Sequence, residues 1–206
     1  MNKKLPSHLE TDRLLLRPIE PGDLDFFIEL HGDRDVVRFL GGDGTPRTPE
    51  VTEAWLAKMI RWYEEHSLGP YAIVRRTGEG AGELVGRTGL SIFEIETQAS
   101  AEDGIPVATW GIGSGAEGVE VEPLLELGYV VHPSTQGQGI ATEASRGWQK
   151  FAFEVWEEPC LHSVIAGGNT PSLKVAAKNG MEAVERDVRM DGSVYGLYRR
   201  DRASWR

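Results

Sequence analysis

The sequence predicts an α/β (α+β) fold in which strands and helices share one core. Three observations point there. The stretch Glu126–Ala144 reads as strand, turn, glycine loop and helix, with apolar, β-rich Leu124 to Val131 stopped by Pro133. Ala144, Trp148, Phe151, Ala152 and Val155 then recur at helical spacing on one face. Elsewhere strand-like and helix-like runs succeed one another, and 206 residues with 40% hydrophobic content suffice for one sizeable domain, 1–206.

Taken in order, Thr11 to Pro18 reads as a first strand ended by proline. Asp23 is placed to cap a helix carrying Leu24, Phe27, Ile28 and Leu30, and a short turn follows through Val36, Val37, Phe39 and Leu40. Gly41 to Pro46 is a loop by composition. Thr48-Pro49 is an N-cap with proline in the first helical position, and Val51, Trp55, Met59 and Trp62 form one face of the helix it opens. Tyr71 to Arg76 and Leu84 to Ile92 read as a hairpin joined by Glu79 to Glu83. After the central stretch come a short strand, Leu161 to Ala166, and a helix capped by Asn169 and stopped by Gly180. Ala183 to Met190 and Val194 to Arg200 close the chain as a hairpin turned at Asp191-Gly192.

Residues 94–123 form an extended acidic, glycine-rich insertion, longer than an ordinary connection. Within it, Val107 to Ile112 suits either a strand or a loop. Its base adjoins the strand that carries Glu126, so it is expected to cover or line a substrate site, its acids drawing a cationic partner.

The glycine loop carries the chemistry. Backbone N–H groups that open a helix have no internal partners, and glycines let an anion come close to them. The loop lacks the lysine of a Walker P-loop, and Thr142 stands where a dinucleotide fingerprint has its third glycine. Gln136, Gly139 and Ala141, after Gly128-Tyr129-Val130-Val131, resemble the Arg/Gln-x-x-Gly-x-Gly/Ala coenzyme A loop of the GNAT N-acetyltransferase superfamily. The opening Thr11-x-Arg13-Leu14-x-Leu16-Arg17 and the block Asn169-x-x-Ser172 to Lys178-x-Gly180-Met181 look like its RimJ/RimL-type branch. This resemblance implies a mixed, twisted sheet of six or seven strands flanked by helices, its parallel central strands 124–131 and 161–166 splayed apart.

It also implies a co-substrate and a site. Acetyl-CoA would lie along Tyr129, Val130 and Val131, with its diphosphate on Gly137, Gln138, Gly139, Ile140, Ala141 and Thr142. Gln136, Asn169, Ser172 and Lys178 would add contacts. Glu126 shares a strand face with Gly128 and Val130 and is the candidate base; its other reading is a salt-bridged strand carboxylate. The superfamily's tyrosine two residues before the lysine is replaced by Ala176, so that role does not transfer. Ser172 is the candidate acid, with Tyr195 and Tyr198 as fallbacks.

Composition narrows the rest. A net charge of −10 argues against a nucleic-acid binder, and no stretch reads as a signal peptide or membrane span, so the cytoplasm is expected. Cys160 stands alone, and the five histidines show no ligand spacing, so no metal is expected. The expected activity is direct transfer of an acetyl group to an amine acceptor, a protein N-terminus or a small molecule. A non-catalytic acyl-CoA sensor is the rival, and a homodimer is compatible with either.

Overall fold

The computed structural model describes residues 4–97, 104–113 and 118–206. Among these residues nine strands form one sheet: β1 (Leu9–Glu10), β2 (Leu14–Pro18), β3 (Gly69–Arg75), β4 (Leu84–Glu96), β5 (Ala108–Trp110), β6 (Val121–Val131), β7 (Cys160–Ala166), β8 (Glu182–Met190) and β9 (Ser193–Asp201). Their order is β1-β2-β3-β4-β6-β7-β9-β8, with β5 added against β4. Six or seven strands are expected from the sequence; the additional β1 is two residues long, too short for alternation to reveal, and β5, three residues long, falls within Val107–Ile112, which suits either a strand or a loop.

The insertion is smaller than its sequence suggests. β4 and β6 pair antiparallel from Gly86↔Val131 to Glu96↔Val121, so residues 94–96 and 121–123 are strand. Trp110 of β5 sits opposite Phe93, their rings 4.1 Å apart. Gly115 and the acids Glu102, Asp103 and Glu117 lie outside the described residues.

Helices α1 (Leu24–Gly32), α2 (Arg34–Val37) and α3 (Pro49–His66) cover one face, and α4 (Ile140–Glu154) covers the other. The alternation of β3 divides them. Tyr71 and Ile73 join the cluster of Ala144 and Trp148, whereas Ala72 and Val74 join that of Phe27, Leu30 and Leu56. Trp148 is fully buried, edge-on to Tyr71 at 4.8 Å. α5 (Thr170–Lys178) lies after β7. Among the described residues no helix is long and apolar enough to cross a membrane.

The expected caps divide likewise. Thr48 accepts from the Val51 amide and Asn169 from that of Ser172. Asp23 caps no helix amide; its carboxylate takes two hydrogen bonds from Arg17, at 2.7 and 2.8 Å, and one from the Glu20 amide. The carboxylate thus faces Arg17 and the turn Pro21–Asp23 rather than the amides that open α1. Val51 and Val155, which share the apolar faces of their helices by periodicity, are exposed, each lying at a helix end.

Candidate active site

β6 and β7 run parallel, yet they pair at one position, Glu126↔His162. The Ser163 hydroxyl donates to the Leu127 carbonyl at 2.7 Å, and beyond this point the strands part. A cavity of about 410 Å³ opens at the split. Its floor is Arg87, Gly89 and Ser91 of β4 with Glu126 and Gly128 of β6. Trp55, Met59 and Trp62 of α3, Trp110 and Gly111 of the insertion, and Tyr195 of β9 wall it. The apolar α3 face is therefore partly a cavity wall, which periodicity alone cannot distinguish from core.

Adjacent residues of β6 serve opposite sides. Glu126 is 4% exposed and accepts from the Ser91 hydroxyl at 2.9 Å. Burial pushes its carboxyl up to about 8, against the Ser91 hydrogen bond and the Arg87 charge, which favour ionisation. Gly128 makes room for it: a Cβ there would lie 3.2 Å from a Glu126 carboxylate oxygen. Tyr129 points the other way, its hydroxyl 3.0 Å from both Oγ and the carbonyl of Ser172. Burial raises that phenol to about 12, so it holds its proton.

Past Val131, His132 anchors the strand end, meeting Glu29 of α1 at 3.1 Å and Ser134 at 2.7 Å. The glycine loop then turns through Gly137 and Gly139, at φ 78° and 80°, into α4. Among the described residues no backbone N–H from 137 to 142 donates to a backbone or side-chain acceptor of the protein. Gln136 and Gln138 brace the loop rather than leaving their side chains free. Gln136 donates to the Val131 carbonyl, and Gln138 accepts from Arg75 at 3.0 Å. Arg13, clamped by Glu143 at 2.6 Å, donates to the Gln138 carbonyl.

Residues 13–182 match the family model of the acetyltransferase (GNAT) domain. The chain belongs to the GNAT acetyltransferase family. It is 26% identical to the uncharacterised protein YkkB of Bacillus subtilis (strain 168), over 97% of this chain and 98% of that one. Its fold is shared with a GNAT-family acetyltransferase from Bacillus anthracis, at 20% identity and a TM-score of 0.68, covering 96% of this chain and 99% of the other. It is shared too with Mycobacterium smegmatis RimJ, solved in complex with CoA-disulfide, at 18% identity and a TM-score of 0.65, over 93% and 83% of the two chains.

In this acetyltransferase Glu126, Tyr129, Val130, Asn169 and Ser172 all meet the cavity. Tyr198 does not line it; it packs with Ile165, Ala176 and Met181, whereas Tyr195, three residues earlier, reaches the wall. Lys178 is exposed in the last turn of α5, away from the cavity lining, and its carbonyl accepts from Arg146. Cys160 is also outside the lining, and burial raises its thiol. Among the described residues no cluster of acids, histidines and cysteine is arranged to hold a metal ion. The sequence reading missed Arg47 and Arg87, which both line the cavity. The strand period of two puts Arg87 on the face of Ser91 in the sequence, but only the register Arg87↔Val130 and Ser91↔Glu126 brings it to the face of Glu126.

Proposed function

We propose that this chain transfers an acetyl group directly from acetyl-CoA to a primary amine, after the manner of the RimJ/RimL-type branch. The observation that carries this reading is the parting of β6 and β7 beside a buried carboxylate. The residues present fit the co-substrate. The unsatisfied N–H groups of 137–142 suit a diphosphate, and the gap bordered by Tyr129, Val130 and Asn169 suits a narrow arm that hydrogen-bonds along a strand. Acetyl-CoA supplies an activated thioester when bound there.

Each remaining task falls to a residue of the chain. Glu126 takes the proton from the incoming amine, directly or through water. Its value of about 8 matches an α-amine, whose reference pKa is also about 8. Ser172 Oγ, backed by the Tyr129 hydroxyl, holds a proton for the departing thiolate on the other side of the strand. With Cys160 outside the cavity, a direct transfer needs no acyl-enzyme.

The test is thiol release from acetyl-CoA in the presence of a panel of primary amines. Release that rises with amine concentration, with N-acetyl product by mass spectrometry, is expected. Tight acetyl-CoA binding without release for any amine would favour the sensor reading.

A further inference from the structure

Many arginines of this acidic chain pair with carboxylates, as Arg13 does with Glu143, Arg17 with Asp23, Arg76 with Glu10, Arg186 with Glu122 and Arg199 with Asp201, and partly buried Arg200 bonds the Gly180 and Ser204 carbonyls instead. The two in the cavity do not pair with a carboxylate. Among the described residues no carboxylate makes a hydrogen bond or ion pair with the side chain of Arg47 or Arg87, although both are partly buried. Nε of Arg87 has no partner, and its guanidinium lies 5.3 Å from the Trp55 ring centroid, fixed over the indole face.

The nearby titratable groups do not balance this charge. Burial, with Arg47 adding and the Glu126 carboxylate opposing, draws Arg87 down to about 10, still a cation at neutral pH. His31 is wholly buried between Phe27 and Trp55, with neither ring nitrogen bonded. Burial and the two guanidiniums hold it to about 3, so it stays uncharged. Glu126, raised to about 8, is mostly protonated at pH 7. Exposed Lys58 adds a further cation at the rim. Among the described residues of the insertion no acid lines the cavity: Glu94 accepts from the Gly113 amide at 2.7 Å, Glu122 pairs with Arg186, and the described wall from that segment is Trp110 and Gly111.

We propose that the acceptor is an amine that also bears a carboxylate, the carboxylate seated on Arg47 and Arg87 and the amine turned toward Glu126. This rests on the acetyltransferase reading and narrows its substrate class to amino-carboxylates. Arg87 and Ser91, the partner of Glu126, are four residues apart on β4, roughly 13 Å between Cα atoms, a span that two long side chains reduce to the size of an amino acid or short peptide. Guanidinium forks match carboxylates in shape as well as charge.

The experiment is calorimetric titration of the full chain, loaded with coenzyme A, with α-amino acids, their carboxamides and phosphoethanolamine. Carboxylates are expected to bind at least about tenfold tighter than carboxamides, the scale of a charge-assisted pair. Arg47→Gln, on a surface loop, is expected to abolish that preference while leaving coenzyme A affinity unchanged. Arg87→Gln, checked for folding by circular dichroism, should do the same. Equal binding of acids and amides, no binding of either, or preference for the phosphate compound would overturn the proposal. Thiol release in the same mixtures judges the acetyltransferase reading separately.

Discussion

At the scale of single residues, Glu126 concentrates the consequences of burial. A base must be deprotonated to act, so the rate is expected to rise with pH through about 8. Glu126→Gln should lower kcat by about 10²-fold or more, remove that rising limb and leave acetyl-CoA affinity intact. A variant with the wild-type pH–rate profile would return Glu126 to a structural role. Stability should follow the same group with opposite sign. Its folded value is raised above the ordinary 4.5, so its contribution is fully present below about 4.5 and is lost as pH rises through about 8. Thermal melts at pH 5 and pH 9 should therefore show Glu126→Gln gaining on the wild type at the higher pH.

At the scale of elements, the glycine loop and α4 make a separable prediction. Gly139 adjoins Arg13, whose guanidinium would lie 3.4 Å from an added Cβ and would partly neutralise a new acid. Gly137 faces open space, and aspartate tolerates its left-handed backbone better than most residues. Gly137→Asp should thus weaken acetyl-CoA binding by about tenfold through charge at the helix N-terminus, with little loss of stability. Unchanged affinity by calorimetry would detach the loop from the diphosphate. This element was legible in the sequence because its signals are local: two glycines, a proline stop and a helical face lie within thirty residues. The acceptor cavity was not legible in the same way. Arg47 comes from a loop, Trp55 from α3 and Arg87 from β4, and only the long-range register of the sheet brings them together. Periodicity marked Trp55, Met59 and Trp62 as apolar, which is true of a cavity wall and of a core alike.

At the scale of the whole molecule, one face of the sheet is made for stability and the other shares its surface with the cavity. Trp148 anchors the first, wholly buried against Tyr71 and Phe151. Trp148→Ala should cost about 3–5 kcal/mol in denaturant unfolding, the range for a large aromatic removed from a core. Trp55→Ala, at the cavity, should cost less because part of that ring already faces open space. Equal losses would mean that the two faces are packed alike.

The single bridge between β6 and β7 also means that this sheet has two edges inside the molecule. An edge strand carries a row of backbone donors and acceptors without partners, and proteins ordinarily hide or blunt such rows because they capture other chains. Here they face each other across a slot too wide to zip and bordered by Tyr129, Val130 and Val164. Amide protons along this slot should exchange early in the free protein, while those shared by β4 and β6 persist. Saturating acetyl-CoA should slow the slot amides selectively. If it protected all strands equally, the co-substrate would be stabilising the fold as a whole rather than closing this seam.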